Sequence, residues 1–179
     1  LNLTVNTIAG ATYSCTGPNG FSSSLQNPTI PNATVAASGV YSVSATVSGC
    51  AGPADTTTVV VNAIPPTPTA TSNSPICIGQ TLILTSSLVP GATYTWTDPI
   101  GFTSTGQIKT VNNVTALAGG TYTLVATVNG CTSPPTSTVV TITPLPTISF
   151  TSNTPACAGT PVNFTNTGST GPSYSFAWD

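Results

Sequence analysis

The chain has 179 residues, a formal net charge of -2 and only 2% charged residues. Lys109 is its single basic side chain, and one cation cannot neutralise the phosphates that a nucleic acid presents. We therefore expect no nucleic-acid partner. Glutamate, arginine and histidine are absent, which also disfavours a fold built from solvent-exposed helices.

Intrinsic disorder and membrane insertion are disfavoured by the same composition. The chain is 39% hydrophobic with little net charge, whereas disordered segments combine low hydrophobicity with high net charge. No apolar run approaches the ~20 residues of a membrane helix, and no signal peptide opens the sequence. We expect a soluble, β-rich, extracellular chain, either a mature segment or an internal fragment.

Internal repetition is the strongest signal in the sequence. The matching segments are 10–21 with 91–102, 38–50 with 119–131, and 71–79 with 151–159. The first two pairs are offset by 81 residues and the third by 80. A period of this length corresponds to one small β-sandwich.

The repeat divides the chain into three predicted domains. Residues 1–66 form a repeat without its first strand, because residues 1–4 align with 82–85; residues 67–146 form a complete repeat, and 147–179 the beginning of a third. Proline-rich segments at the borders predict short, stiff connections or protected edge strands. Two explanations of the incomplete repeats stay open: a window on a longer array, or subunits completed by their neighbours.

Short strands with a period of two follow one another along the complete repeat. In chain order, the alternating apolar positions are Leu82 and Leu84, Tyr94 and Trp96, Tyr122 to Val128, and Val140 with Ile142. Turn-forming pairs such as Asn129-Gly130 separate them. Alternation places one face of each strand in a core. The prediction is all-β: tandem immunoglobulin-like Greek-key sandwiches of about 80 residues each.

Aromatic residues are expected to fill the core of each sandwich. Trp96 and Trp178 occupy the position of the buried tryptophan of immunoglobulin folds. Tyr41 and Tyr122 each follow a glycine-containing turn, which predicts a tyrosine corner whose hydroxyl bonds back to the main chain. Cys15 replaces the tryptophan in the first repeat, and we expect it to act as a small buried hydrophobe rather than to bond another cysteine.

Four of the five cysteines recur with the repeat. Cys77 and Cys131 lie near the start and end of the complete repeat, and a disulfide between them is predicted. Cys50 and Cys157 are their counterparts in the other repeats, with partners outside the chain or none. The spacing of zinc ligands is absent, so no metal is expected. A disulfide would indicate an oxidising compartment.

Catalytic chemistry is not expected in this chain. Histidine and glutamate are absent, and three aspartates and one lysine provide no paired acid and base. Asp98 precedes a proline in a turn, and Asp55 lies in a loop before a strand. We predict no enzyme activity, catalytic residue or cofactor. Phe21 and Phe102 follow glycines at a turn, where packing beneath the hairpin is favoured over ligand contact.

These motifs together resemble a known family. The chain resembles the immunoglobulin-like repeats of very large Bacteroidota surface proteins in the order of three motifs: C-x-G, then G-A-T-Y-x-W-x-x-P-x-G-F, then A-x-G-x-Y-x-L-x-A-T-x-x-G-C. The third copy is similar to the polycystic-kidney-disease (PKD) domains of the same proteins. The resemblance implies secretion, through the type 9 system, and roles in surface adhesion or gliding motility. It supplies no catalytic residues.

The expected function is therefore a structural or adhesive segment of a bacterial cell-surface protein. The alternative is a subunit of a self-assembling extracellular filament with strand complementation between subunits, and a carbohydrate-binding module is disfavoured. Expected partners are neighbouring repeats, copies of the chain and surface glycans. Asn32 and Asn113 begin N-glycosylation sequons. Thr56 follows Asp55 in a segment that resembles the O-glycosylation motif of Bacteroidota secreted proteins.

Overall fold

A computed structural model describes residues 1–170 together with Ser175 and Ala177. The predicted core residue Trp178 lies outside the described residues. Within them the fold is all-β, and the helical segments are three short 3₁₀ turns. No helix in this described part has the length and apolar character needed to cross a membrane.

The first repeat is built on one five-stranded sheet. Its elements are β1 (Thr12–Thr16), η1 (Pro18–Gly20), β2 (Ser22–Ser23), η2 (Val35–Ala37), β3 (Gly39–Val47), β4 (Cys50–Ala51) and β5 (Asp55–Val59). The strand order is β2-β1-β3-β4, and β5 also pairs with β3. Outside this sheet, Asn2 forms an antiparallel bridge with Thr29, flanked by main-chain bonds between Leu3 and Pro28 and between Leu1 and Ile30.

The second repeat has the two layers of an immunoglobulin-like sandwich. Its elements are β6 (Ala70–Ser72), β7 (Ile76–Cys77), β8 (Leu82–Ser86), β9 (Thr93–Thr97), β10 (Thr103–Thr105), β11 (Ile108–Val111), η3 (Ala116–Ala118), β12 (Gly120–Val128), β13 (Cys131–Thr132), β14 (Thr136–Val140) and β15 (Ile142–Thr143). One layer has the order β10-β9-β12-β13, with β14 also on β12; the other is β11-β8-β6. Strand β7 pairs in parallel with β15.

The third repeat contributes a two-stranded antiparallel sheet to the described residues. Strand β16 (Phe150–Ser152) pairs with β17 (Phe164–Asn166), with Ser152 opposite Phe164. The second repeat places Ser72 opposite Leu84 in the same way. The register of this strand pair is thus repeated at the offset of 80.

The core of the second repeat follows the predicted alternation. Strand β8 has the pattern buried-exposed-buried-exposed-buried, with Leu82 and Leu84 fully buried. Trp96 is 1% exposed, and Leu124 and Ala126 of β12 are fully buried. Burial of a large apolar side chain contributes roughly 1.5–3 kcal/mol to folding, so the side chains packed between the two layers stabilise the repeat.

The chain separates into two compact units. The first contains Leu1–Thr67 together with Val89–Thr93 and Ala126–Pro134. The second contains Pro68–Leu88, Tyr94–Val125 and Pro135–Asp179. Part of the second repeat's sequence is therefore grouped with the first repeat. The repeat boundaries at 66/67 and 146/147, read from the sequence period, stay predictions.

The predicted disulfide between Cys77 and Cys131 is corrected by the structure, in which all five cysteines are free. Cys131 pairs with Val128 at the end of β12. Cys77 lies near the opposite end of β12. It pairs with Thr143, three residues after Val140, and Val140 pairs with Gly120 at the start of β12. A strand rises about 3.3 Å per residue, so the ends of this nine-residue strand are roughly 27 Å apart. Disulfides require Cα atoms about 4.4–6.8 Å apart.

Candidate interaction site

A cavity of about 120 Å³ opens on one side of the first repeat. Its lining residues are Leu3, Thr4, Val5, Cys15, Gln26, Pro28, Tyr41, Ser42, Val43, Asp55, Thr56 and Thr57. One wall is the extended segment around Leu3, and the opposite wall is β5. We call this region the open side of the first repeat.

In the second repeat, strand β6 covers the side that corresponds to the open side. The counterparts of Leu3 and Val5 are Leu84 and Ser86, and both of these residues pair with β6. Strand β14, which is the counterpart of β5, also contacts β6. Leu84 is fully buried, whereas Leu3 is half-buried. In the first repeat no described strand takes the place of β6, so this part of the core remains partly exposed.

Cys15 lies at the inner end of the open side. The side chain is 5% exposed, and its thiol donates to the carbonyl of Leu25, with Sγ 3.7 Å from the oxygen. Burial raises the pKa of the Cys15 thiol, because the thiolate loses solvation. A buried thiol with a raised pKa is a poor nucleophile, which suits Cys15 to a place in the apolar core.

The first and second repeats each contain a tyrosine corner. The hydroxyl of Tyr41 donates to the carbonyl of Ala37 at 2.8 Å, and that of Tyr122 to Ala118 at 3.1 Å. Both rings are buried, with exposures of 4% and 5%. Burial raises the pKa of Tyr122, and the negative charge of Asp98 raises it further.

A polar contact inside the first compact unit joins the end of one repeat to a hairpin of the next. The Asn62 side-chain amide donates to the carbonyl of Asn129 at 3.1 Å, and the Cys131 thiol donates to the carbonyl of Asn62 at 3.7 Å. Asn129 has a left-handed φ of 47°, as the tight turn between β12 and β13 requires. Asn62 was not singled out in the sequence analysis. The repeat offset of 81 could have indicated it, because Asn62 is the counterpart of Thr143, which pairs with Cys77.

A second groove, of about 380 Å³, lies in the second repeat beside the turn at Asp98. Phe102 borders it and is 73% exposed, so the expected packing beneath the hairpin fails at this position. Phe21 behaves as expected, since it packs edge-on against Tyr41 with ring centroids 5.6 Å apart. Tyr94 is only 5% exposed, as its place in the apolar alternation predicts.

The carboxylates at Asp55 and Asp98 serve their local main chain. Asp98 Oδ1 accepts the N–H groups of Ile100 at 3.1 Å and Phe102 at 2.9 Å, and Asp55 Oδ1 accepts that of Thr56 at 2.8 Å. These bonds stabilise a turn and the start of a strand. Among the described residues, no group of three cysteine or aspartate side chains is placed to hold a metal ion.

The predicted glycosylation positions are all on the surface. Asn32 and Asn113 are exposed and take left-handed φ values of 49° and 54°. Thr56 is exposed on β5, opposite Ser42 of β3. Exposure permits modification at each position, and modification itself stays a prediction.

The fold is similar to solved immunoglobulin-domain structures. The amphioxus IgVJ-C2 molecule shares 20% identity with a TM-score of 0.39, covering 79% of this chain and 95% of that one. Murine CEACAM1b shares 15% identity with a TM-score of 0.49, covering 79% and 92%. The four N-terminal domains of Dscam1 isoform 4.44 share 13% identity with a TM-score of 0.37, covering 75% and 37%.

No protein-family model and no curated protein matches the chain. The structural likenesses above have low identities and TM-scores below 0.5. The immunoglobulin-like sandwich is accordingly defined by its own strand pairing: two layers, with β12 between β9 and β14 in one and β8 between β6 and β11 in the other.

Proposed function

We propose that this chain is a non-catalytic structural and adhesive segment of a large extracellular bacterial surface protein. Its repeats act as rigid units in a stalk, and the sequence resemblance supports placing that protein among the type 9 secreted adhesins of Bacteroidota. Secretion and a role in gliding motility belong to the same proposal. The hydroxyl- and amide-rich surface keeps such a stalk hydrated with almost no charge.

The contact of Asn62 with Asn129 and Cys131 is the observation that carries this proposal. It attaches the end of one repeat to the β12–β13 hairpin of the next, through a side-chain amide and a thiol. The proline-rich segment that follows Asn62 adds main-chain stiffness, because each proline fixes its φ angle. Such a connection suits a stalk that has to transmit force along the chain.

Single-molecule stretching of the chain, held at its two ends, tests the stalk role. We expect a separate force peak for the second repeat, with a length gain of roughly 25 nm for about 80 residues. The variant Gly120→Ala should lower the force of that peak, whereas Gly119→Ala should leave it unchanged. Extension without any peak would refute a force-bearing role.

The adhesive part of the proposal has its own test. Beads coated with the chain should attach to surface polysaccharides or to cells under flow, and uncoated beads should not. Phe102→Ala, which removes the exposed ring beside the 380 Å³ groove, should weaken attachment if glycans are the partner. Equal attachment of coated and uncoated beads would remove adhesion and leave the stalk role standing.

A second candidate is a subunit of a self-assembling extracellular filament, and the low charge of the chain favours it. A net charge of -2 imposes little repulsion between copies. Sedimentation of the reduced chain over a range of concentrations separates the candidates: reversible head-to-tail association supports a filament, and a monomer throughout supports a stalk.

A further inference from the structure

We propose that the 380 Å³ groove of the second repeat binds a second copy of this chain, and that two copies exchange their Phe102 rings there. Each ring enters the groove of the other copy, so the contact has two-fold symmetry. The inference rests on the adhesive part of the proposed function and deepens it, because it names another copy of the chain as a partner.

The first repeat shows which group fits this place on the sandwich. Phe21 and Tyr41 are the counterparts of Phe102 and Tyr122 at the offset of 81, and their rings pack edge-on with centroids 5.6 Å apart. Edge-to-face packing of this kind is favourable for aromatic pairs. In the second repeat Tyr122 lines the groove, whereas Phe102 at the border of the groove is 73% exposed. A phenyl ring therefore suits the place beside the corner tyrosine, and in the second repeat the chain's own ring is exposed instead.

One position in the turn separates Phe102 from the arrangement of the first repeat. Asp98 Oδ1 accepts the main-chain N–H of Phe102 at 2.9 Å and so holds the turn. The counterpart of Asp98 is Gly17, and the Tyr41 ring lies so close to Gly17 that an added Cβ atom would collide with it. Because aspartate has a Cβ atom, the tyrosine and phenylalanine of the second repeat cannot pack in this way. A ring from another molecule is not tied to the turn and is free to enter the groove.

The groove has the composition of a pocket for an apolar ring. Its floor consists of the buried core residues Leu84, Trp96 and Tyr122. At its border Ile100 and Leu117 are mostly exposed, like Phe102. Clustered exposed apolar side chains mark interaction surfaces, and an aromatic side chain that enters a pocket supplies much of the affinity of an interface.

The ring and the groove together form a self-complementary surface. Because Phe102 lies at the border of the groove, a two-fold axis beside it places each ring over the groove of the other copy. Asp98 and Lys109 also line the groove, and they carry opposite charges. The two-fold arrangement lets Lys109 of one copy face Asp98 of the other, so the charges on this surface are complementary between identical chains.

Sedimentation equilibrium of the full chain in reducing buffer tests the contact. We expect a monomer–dimer equilibrium without larger species, because a two-fold contact is closed. Phe102→Ala should weaken dimerisation at least tenfold. Leu88→Ala is the matched control, because Leu88 is 72% exposed and lies outside the groove, and it should leave dimerisation unchanged. A monomer at all concentrations, or association that Phe102→Ala does not weaken, would overturn the proposal.

Nuclear magnetic resonance of a mixed sample locates the ring. In an equimolar mixture of unlabelled chains and chains with ¹³C-labelled phenylalanine, filtered nuclear Overhauser effects should connect Phe102 of one copy to Tyr122 of another. Phe102→Ala should remove these signals. Contacts of Phe102 with Tyr122 within a single copy would show that the ring closes over its own groove and would overturn the exchange.

Failure of this inference is distinguishable from failure of the proposed function. Attachment of coated beads to polysaccharides or cells and the stretching of single molecules are measured without dimerisation of the chain. The adhesive and stalk roles therefore stand if the chain stays monomeric. Open-ended, head-to-tail association that Phe102→Ala leaves unchanged would overturn the ring exchange and support the filament candidate.

Discussion

Cys15 and Trp96, 81 residues apart in sequence, donate hydrogen bonds to carbonyls that are also 81 residues apart. The Cys15 thiol lies 3.7 Å from the oxygen of Leu25, and the Trp96 indole nitrogen lies 3.1 Å from the oxygen of Gly106. Both side chains are buried. The substitution of cysteine for tryptophan thus preserves the direction of the polar group and changes the volume of the core.

The cavity beside Cys15 predicts that Cys15→Trp stabilises the first repeat. The indole would occupy the 120 Å³ cavity and donate its N–H toward Leu25. Filling a cavity typically adds about 0.5–2 kcal/mol to the free energy of unfolding. Urea denaturation of the reduced, monomeric chain measures this. A lower free energy of unfolding in the variant would show that the cavity is too small to admit the indole ring.

The reverse change, Trp96→Cys, should destabilise the second repeat. The Trp96 side chain is 1% exposed, and β6 covers this sandwich beside β8. Removal of the indole therefore leaves an enclosed cavity. Large-to-small changes of this kind cost about 3–5 kcal/mol. Hydrogen exchange of the β12 amides compares the stability of the variant with that of the unchanged chain. Unchanged protection would contradict the role of Trp96 in the core.

The tyrosine corners predict equal effects in the two repeats. Tyr122→Phe removes the bond to the Ala118 carbonyl and Tyr41→Phe the bond to Ala37, while each ring keeps its place. We expect a loss of about 0.5–1.5 kcal/mol in each case. Chemical denaturation of the two single variants and the double variant provides the measurement. If the loss in the double variant differs strongly from the sum of the two single losses, the two tyrosine corners do not act independently, which would contradict this prediction.

The fold was largely predictable from the sequence, because period-two alternation and glycine turns act locally. Leu82, Leu84 and Trp96 are buried as their pattern indicates. The disulfide was not predictable, because recurrence of Cys77 and Cys131 once per repeat does not tell which ends of the sandwich they occupy. Long-range strand register decides that, and it places them at opposite ends of β12.

The candidate site was predictable only in part. The incomplete first repeat and the unusual Cys15 are visible in the sequence, but the cavity is a product of packing between segments distant in the chain. The exposure of Phe102 could not be foreseen either, since its counterpart Phe21 packs against Tyr41 in an almost identical motif. The difference depends on how each turn lies on its sheet, which the motif does not encode.

Gly120 is predicted to tolerate no side chain. Its φ is +138°, and a Cβ placed there would lie 2.8 Å from the ring of Pro99. Strain and overpacking together make Gly120→Ala about 3 kcal/mol less stable in urea denaturation. The adjacent Gly119→Ala is the matched control, because Gly119 has φ -76° and its nearest contact would be the Ala116 carbonyl at 3.3 Å. Similar losses for both variants would contradict this account.

Alkaline pH should destabilise the chain through Cys15 and Tyr122. Burial raises the pKa of both groups in the folded state, so the folded chain keeps protons that the unfolded chain releases. Their contribution is fully present below the unfolded pKa values, about 8.5 for cysteine and about 10 for tyrosine, and it is lost as pH rises through the folded values. The free energy of unfolding should therefore fall from about pH 8.5 upward.

Substitution of the two groups separates their contributions in urea denaturation at successive pH values. Cys15→Val should remove the first part of the decline and Tyr122→Phe the part above about pH 10, because neither new side chain titrates. A decline that persists in the double variant Cys15→Val, Tyr122→Phe would assign the alkaline sensitivity to other groups.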